Sequence, residues 1–214
     1  MIDLHTHTLF SDGVLVPAEH LRRFAVLGYE AVAITDHADS SNLDFIIPRL
    51  VQVAADLNPH SPTRLIPGIE LTHVPPELFK SLTARARQLG ALLVVAHGET
   101  PVEPVIPGTN RAALEAGVDL LAHPGFISED DARFAATKGI FLELSGRKGH
   151  SLTNGHVARM AQAAGALLAV NADAHEPGDF MTAQRAETVA LGAGLSAHAY
   201  AQLRANMTGL VARL

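Results

Sequence analysis

The chain has 214 residues, a formal charge of −6 and 48% hydrophobic residues, which suits one globular domain with a full hydrophobic core. It has no cysteine, which excludes disulfides, thiolate nucleophiles, iron–sulfur clusters and cysteine-bound zinc. Twelve histidines stand against 16 lysines and arginines, and histidine is the commonest metal ligand. The composition therefore hints at metal or proton chemistry, with any metal held by nitrogen and oxygen atoms.

The net charge and the hydropathy of the sequence indicate which partners and which cellular location to expect. The net negative charge argues against a nucleic-acid partner, since polynucleotide binding needs a basic surface. No apolar run is long enough to span a bilayer, so no membrane partner is expected. The first residues, MIDLHTHT, carry neither a basic stretch nor a long apolar run, so we expect no secretory signal and a cytoplasmic location.

One repeating unit runs through the chain without a linker, so we expect a single domain over residues 1–214. In each unit an amphipathic, helix-like segment ends in glycine and a short apolar run follows. The glycines are Gly28, Gly90, Gly117, Gly139 and Gly165. Apolar runs without alternation are typical of parallel strands that are buried on both faces.

These units predict about seven β/α pairs. Strands are expected at 2–5, 31–36, 65–70, 91–96, 118–122, 140–144 and 167–172. Helices are expected at 17–27, 42–57, 76–89, 109–116, 129–138, 153–164, 181–192 and 196–206. In the first helix, Leu21, Phe24 and Leu27 are predicted to share the buried face. The alternation implies a parallel sheet, either a closed barrel or an open doubly wound sheet.

Metal-competent side chains stand at or just beyond the carboxyl ends of six of the seven predicted strands. In chain order they are His5, His7 and Asp12, Asp36 and His37, Glu70, His97, His123, and finally Asp173 and His175. A barrel gathers such ends on one face, where active sites lie, whereas an open sheet spreads them along a line. Their number therefore favours a barrel with the site at the C-terminal strand ends.

The residue types suit metal binding. Imidazoles and carboxylates are ligands of Zn, Mn or Fe. Two histidines spaced as His-x-His on a strand also point to the same side. Apart from Asp36, nine donors are available, which exceeds the need of one ion. Two or three divalent ions that share a bridging carboxylate would use them all.

The motifs resemble those of the PHP family, named for polymerase and histidinol phosphatase. The matching segments are DLHTHTLFSDG at 3–13, TDH at 35–37, PGIE at 67–70, AH at 96–97, AHPG at 122–125 and NADAH at 171–175. The resemblance implies an α/β fold with a distorted (β/α)7, TIM-like barrel. It also implies a trinuclear metal centre that hydrolyses phosphoesters, with a small phosphorylated substrate as the partner.

The resemblance further implies a role for each donor. The first ion would take His5, His7, Glu70 and Asp173, the second Glu70, His97 and His123, and the third Asp12, His37 and His175. A hydroxide bridging the metals near Glu70 and Asp173 would attack phosphorus. Asp36 is expected either to orient a ligand, such as a histidine N–H, from outside the coordination sphere, or to cap the start of a loop.

The loop after the sixth predicted strand carries no expected metal ligand. Its Arg147, Lys148 and His150 are cations or donors suited to a substrate phosphate, and the alternative is a solvated basic turn. Arg111, in the loop beyond the fourth strand, is a second phosphate-binding candidate. Three acidic residues either line the pocket or lie at the surface, namely Glu99, Glu103 and Glu143.

Several histidines remain outside this set. His20 and His198, in helices, and His60, in a loop, are expected at the surface. His73 follows Glu70 closely and is a candidate for the pocket lining.

The sequence favours a metal-dependent phosphomonoesterase, with histidinol phosphate as the family's named small substrate. A PHP-type nuclease or a small phosphodiesterase acting on nucleotides is the alternative, although 5% aromatic residues offer few stacking platforms. An amidohydrolase-like enzyme is disfavoured, because none of the three lysines, Lys80, Lys138 and Lys148, ends the fourth strand. A non-catalytic metal-binding domain would hold ions but hydrolyse no phosphate ester.

Overall fold

The computed structural model describes residues 1–214 and has an α/β fold built around one parallel sheet. The strands are β1 (Ile2–Asp3), β2 (Ala31–Ile34), β3 (His37–Ala38), β4 (Arg64–Leu71), β5 (Leu93–His97), β6 (Leu120–Ala122), β7 (Phe141–Ser145) and β8 (Leu167–Asn171). Their order is β1-β2-β4-β5-β6-β7-β8, and every pairing is parallel. The short β3 follows β2 and pairs with the far end of β4, so the sheet has seven strand positions.

The barrel closes between β1 and β8 through an irregular seam. Beyond these strands Thr6 and Ala174 form one parallel bridge, and the His7 N–H donates to the Ala174 carbonyl oxygen at 2.8 Å. A side chain adds to the seam, because the Asn171 amide oxygen accepts from the Leu4 N–H at 2.9 Å. The expected distorted (β/α)7, TIM-like barrel is confirmed.

The same seam makes the first strand shorter than predicted. The N–H groups of Leu4 and His5 bond to side-chain oxygens of Asn171 and Asp3, at 2.9 and 3.2 Å, instead of to a neighbouring strand. The Asp3 carboxylate also accepts from the Ala172 N–H at 3.0 Å. Burial nevertheless raises the pKa of Asp3 to about 8, so the seam contains a buried carboxyl group.

Eight α-helices cover the barrel, each at a predicted position. They are α1 (Pro17–Val26), α2 (Leu43–Leu57), α3 (Phe79–Gln88), α4 (Thr109–Ala116), α5 (Glu129–Lys138), α6 (Asn154–Ala164), α7 (Ala183–Gly192) and α8 (Ala197–Val211). Short 3₁₀ turns, Pro76–Leu78 and His150–Thr153, precede α3 and α6. The last helix extends beyond its predicted end at residue 206. None of the helices has the length and apolarity needed to cross a membrane.

The helix ends and the buried core agree with the pattern of glycines and apolar runs in the sequence. Gly117, Gly139 and Gly165 end their helices with left-handed φ values of 75°, 67° and 70°, as a glycine at this position allows. Strand side chains such as Ile34 and Leu121 are fully buried, as unbroken apolar runs predict.

Two predictions for α1 are wrong. His20 is only 1% exposed, and its Nε2 lies 2.9 Å from Oγ1 of Thr6, whose hydroxyl donates to the Ala33 carbonyl oxygen. Burial lowers the pKa of His20 to about 3, so this histidine is a neutral core residue beside the seam. Leu27 is 43% exposed, because the helix ends at Val26. The predicted surface positions of His60 and His198 are confirmed.

Candidate metal centre

The nine predicted donors meet in one pocket on the C-terminal face of the barrel. They form four overlapping groups, and within each group the ligand atoms lie within 4.8 Å of one another. The groups are His7, Asp12, His37 and His175; His5, His123 and Asp173; His5, His7 and Glu70; and Glu70, His97 and His123. Parallel strands place their carboxyl ends together, which is why residues distant in sequence meet here.

Glu70 lies at the centre of the pocket, near the end of β4. It is 0% exposed, and its Oε2 lies 2.7 Å from His37 Nδ1 and 3.4 Å from His5 Nε2. Its Oε1 lies 3.8 Å from His123 Nε2. One carboxylate therefore faces rings from three different strand ends, which suits a carboxylate that bridges two ions.

Asp173 faces the same rings from beyond β8. Its Oδ1 lies 3.2 Å from His7 Nε2 and 3.7 Å from His5 Nε2, and its Oδ2 lies 3.7 Å from His123 Nε2. The backbones of Asp173 and His123 have positive φ values, 52° and 27°, which are uncommon outside glycine. Such conformations cost about 1–3 kcal/mol each and cluster at functional sites.

Many of the buried ligand atoms have no hydrogen-bond partner in the protein. Six of the eight such side-chain atoms in the whole chain lie here: His5 Nε2, both ring nitrogens of His7, both Glu70 oxygens and His123 Nδ1. Leaving a buried polar atom unpaired costs about 1–3 kcal/mol, so this concentration calls for a ligand. Imidazole nitrogens and carboxylate oxygens in a closed pocket fit divalent metal ions.

Second partners fix the orientation of two of the rings. Glu143, fully buried on β7, has its Oε1 2.9 Å from His5 Nδ1, and its Oε2 accepts from the backbone N–H of His123 at 3.0 Å. His97 Nδ1 lies 3.2 Å from the Gly98 carbonyl oxygen and can donate to it. A ring that donates from Nδ1 presents the lone pair of Nε2 to the pocket, as a metal ligand requires.

Asp36 holds a loop, not a histidine. Its carboxylate accepts from the N–H and the hydroxyl of Thr8, both at 2.7 Å, and from the Ser11 hydroxyl at 2.8 Å. The expected histidine N–H partner is therefore a wrong prediction. Asp36 does cap a loop, but the donors belong to the loop after β1 and not to its own loop. Asp36 instead fixes the segment that joins His7 to Asp12, two of the predicted ligands.

The charges of the free pocket stabilise one another. Burial raises the pKa values of Glu70 and Asp173, but His5 and the other rings outweigh this effect and hold both pKa values well below their usual range. Burial lowers the pKa of His5, but the carboxylates of Glu143, Glu70 and Asp173 outweigh it and raise that pKa well above 6.5. Burial lowers the pKa of His7 to about 3. The free pocket therefore combines ionised carboxylates with protonated His5, and cations can replace those protons.

An open pocket of about 430 Å³ adjoins the group that contains Asp12 and His175. Arg147 and Lys148 both line it. The Arg147 Nη1 donates to the Asp173 carbonyl oxygen at 3.2 Å and lies 2.7 Å from His175 Nδ1. Two predicted phosphate-binding residues are thus at the edge of the donor cluster.

His150 lies deeper than a surface loop residue. It is 5% exposed, its Nδ1 lies 2.7 Å from Thr100 Oγ1, and its Nε2 lies 3.8 Å from Asp173 Oδ2. Its ring stacks on His123 with 4.1 Å between ring centroids. The structure therefore brings His150 to the cluster.

Arg111 is not brought to the cluster. Its Nε lies 2.7 Å from Asp131 Oδ1, and its guanidinium lies 4.9 Å from the ring centroid of Phe134. Both partners belong to α5, so this side chain is engaged in the helical layer. The predicted phosphate role of Arg111 has no support in the structure.

The sequence did not decide whether Glu103, Glu143 and His73 line the pocket. Glu103, in the loop after β5, has its Oε2 3.0 Å from His97 Nε2 and 3.1 Å from His73 Nε2. These three residues form a fifth group of metal-competent atoms at the rim of the pocket. A loop carboxylate follows no periodic pattern, so its position could not be predicted. Glu143 carried a signal, since it is the one charged residue in a strand that is buried throughout.

Fold and donors together define a barrel whose C-terminal face carries clusters of side chains that could hold metal ions. The model of the PHP domain matches residues 3–176. The chain therefore belongs to the PHP domain family, as its motifs predicted.

Relatives show how far the resemblance extends. An uncharacterized protein of Methanocaldococcus jannaschii is 45% identical over 196 residues, which cover 91% of this chain and 90% of that protein. The crystal structure of histidinol phosphate phosphatase from Lactococcus lactis, complexed with zinc, L-histidinol and phosphate, is similar with a TM-score of 0.58 and 17% identity. The similarity covers 91% of this chain and 94% of the phosphatase.

The barrel alone does not select the reaction. Adenine deaminase from Arthrobacter aurescens is similar with a TM-score of 0.61 and 16% identity, over 88% of this chain and 70% of the deaminase. The donor set and the cations beside it must therefore carry the functional argument.

Proposed function

We propose that the protein hydrolyses small phosphate esters with the help of two or three divalent ions, Zn, Mn or Fe. The convergence of unpartnered buried donors from Glu70, His5, His7 and His123, beside a pocket lined by Arg147, carries this proposal. Orphaned ligand atoms call for cations, and a guanidinium at their edge suits a phosphate group. Membership of the PHP domain family supports the same class of reaction.

The ligand sets follow the groups of donors. His5, His7, Glu70 and Asp173 would hold one ion, Glu70, His97 and His123 a second, and Asp12, His37 and His175 a third. Divalent cations bound there would supply activated water near neutral pH and offset negative charge on the phosphoryl group. Glu70 and Asp173, both buried, would keep the ions close to each other by facing the same rings.

Side chains around the donors would position the substrate. Arg147 and Lys148 would bind oxygens of the phosphate through charge-assisted hydrogen bonds. His150 would offer its Nε2, which lies 3.8 Å from Asp173 Oδ2, the oxygen that Arg147 Nε approaches to 3.9 Å. Thr100 holds the His150 ring in that orientation. No cysteine is available as a nucleophile, which agrees with attack by water.

A small phosphomonoester, such as histidinol phosphate, is the proposed substrate, and the pocket of about 430 Å³ suits a small molecule. The phosphatase from Lactococcus lactis, complexed with L-histidinol and phosphate, supports this choice. A phosphodiester or nucleotide is the second candidate, because the pocket is open to solvent. A cytoplasmic location completes the proposal.

The test is hydrolysis by protein that has been stripped of metal and reloaded separately with Zn, Mn and Fe. The substrates are p-nitrophenyl phosphate, histidinol phosphate, a nucleoside monophosphate and bis(p-nitrophenyl) phosphate. Glu70→Gln should abolish metal-dependent turnover, and Glu115→Gln, an exposed helical control, should not. Faster turnover of the diester would favour the second candidate. No turnover of any ester by the metal-loaded protein would refute the proposal.

A further inference from the structure

The rim group of His73, His97 and Glu103 differs from the inner groups in its exposure. The side chains of His73 and Glu103 are 39% and 37% exposed, whereas His97 is 3% exposed. Two inner partners of His97, Glu70 and His123, are 0% and 2% exposed. His97 therefore stands between a closed set of donors and an open one.

The spacing in the rim group suits a common ion. Glu103 Oε2 lies 3.0 Å from His97 Nε2 and 3.1 Å from His73 Nε2, and all three ligand atoms lie within 4.8 Å of one another. Atoms that bind one Zn at about 2.0–2.2 Å lie roughly 3–3.5 Å apart in a tetrahedral site. Two imidazoles and one carboxylate also form a common ligand set for Zn.

The Glu103 side chain is held in place from two sides. Its Oε1 lies 3.4 Å from Nε2 of His150, a buried ring whose Nδ1 lies 2.7 Å from Thr100 Oγ1. Its Oε2 lies between His73 and His97. The carboxylate is therefore positioned at the rim before any ion arrives.

The two groups compete for one atom. His97 Nδ1 faces the Gly98 carbonyl oxygen, so Nε2 is the nitrogen that serves both Glu70 with His123 and His73 with Glu103. One lone pair binds one ion at a time. An ion at the rim and an ion in the inner group are therefore alternative states that share His97.

We infer that His73, His97 and Glu103 form an outer cation site through which the ion of the inner group enters and leaves. The ion binds first at the exposed rim, then moves to Glu70 and His123 while His97 keeps hold of it. This inference rests on the metal centre of the proposed function. It assigns Glu103 and His73 a part in metal exchange and none in the final coordination.

A kinetic consequence separates this role from a resident one. The equilibrium between free ion and inner site does not include the outer site, so its loss leaves the dissociation constant unchanged. Uptake and release must then slow by the same factor. We expect each rate to fall about tenfold, which corresponds to a rise of about 1.4 kcal/mol in the activation barrier.

The test uses Co²⁺ as the probe, with the full chain freed of metal by a chelator. Stopped-flow absorption follows Co²⁺ uptake, and excess EDTA then drives its release. Glu103→Gln and His73→Asn should slow one phase of uptake and the matching phase of release about tenfold, with unchanged stoichiometry and affinity. Two exposed positions serve as controls, His60→Asn and Glu115→Gln, and these should match the unmodified protein.

Three results would overturn the inference. Both variants could exchange Co²⁺ within twofold of the unmodified rates, which would place the entry route elsewhere. Their stoichiometry could fall by one ion per chain, which would make the rim residues resident ligands. An unmodified chain that takes up no Co²⁺ would refute the metal centre itself, and the outer site with it.

Discussion

The Nδ1 of His5 and the Oε1 of Glu143 lie 2.9 Å apart in the fully buried floor of the pocket. The other ring nitrogen of His5 is thereby turned towards Glu70 and Asp173, at 3.4 and 3.7 Å. Glu143 also accepts from the His123 N–H, so one carboxylate on β7 orients donors from two strand ends.

Replacing Glu143 with Gln should weaken metal binding about 10–100-fold, the usual cost of losing a group that orients a ligand. The Gln amide nitrogen would take the place of one oxygen, and both oxygens now accept hydrogen bonds, from His5, Asn171 and the His123 N–H. Competition against a chromophoric chelator measures the affinity. An affinity within twofold of the unmodified protein would remove Glu143 from this role.

Metal uptake should release protons and strengthen with rising pH. Burial lowers the pKa values of His37 and His97, but neighbouring carboxylates outweigh this and raise both above 6.5, as for His5. His5 is therefore protonated near neutral pH in the free protein, and the raised pKa values of His37 and His97 increase the protonated fraction of both rings, so a bound ion must displace protons. Calorimetry in buffers of different ionisation enthalpy counts the protons released. Binding without proton release at pH 7 would contradict this account.

His20 should make the protein less stable in mild acid. Burial lowers its folded-state pKa to about 3, whereas the unfolded chain binds a proton below about 6.5. The unfolded state then holds more protons, so this histidine costs about 1.4 kcal/mol of stability per pH unit below that value.

The variant that tests this is His20→Gln, whose amide can still donate to Thr6 Oγ1. Its free energy of unfolding, measured in urea, should be lower than that of the unmodified protein at pH 7. The difference should shrink between about pH 6.5 and 5, because Gln does not titrate. Parallel pH dependences for the two proteins would show that His20 is not buried as a neutral ring.

Arg147→Ala should raise KM for a phosphate ester about tenfold or more, since a hydrogen bond to a charged group contributes about 1.5–3 kcal/mol. Arg147→Lys, which keeps the charge, should recover part of the loss. Both variants are assayed at saturating metal with the bound metal content measured, because Arg147 also contacts His175 and the Asp173 carbonyl. Unchanged kinetics in the Ala variant would exclude Arg147 from phosphate binding.

The convergence of the nine candidate ligands could be predicted because they stand at or beyond the carboxyl ends of the predicted strands. His97 and His123 each directly follow a short apolar run, and parallel strands in a barrel place those positions on one face. The sequence pattern around His20 indicates a buried position, contrary to the predicted surface position. Its spacing of three and four residues from Pro17 and Phe24 matches the buried face of α1.

Contacts between residues that are far apart in the chain could not be predicted from the sequence. The contact of Glu103 with His73 and His97 joins two loops whose paths no local pattern fixes. For Arg111, a predicted loop position near the site suggested that it binds phosphate. In the structure its guanidinium instead pairs with Asp131 on a neighbouring helix. Tertiary packing decides which of several possible partners a side chain contacts.

If the clustered donors hold several divalent ions, protein purified without any chelator will contain them, and elemental analysis will count them. We expect two to three equivalents of Zn, Mn or Fe per chain. We also expect a loss of bound metal in Glu70→Gln, whose carboxylate faces His5, His37 and His123. Fewer than two equivalents in the unmodified protein would show that the cluster is not a centre for several ions.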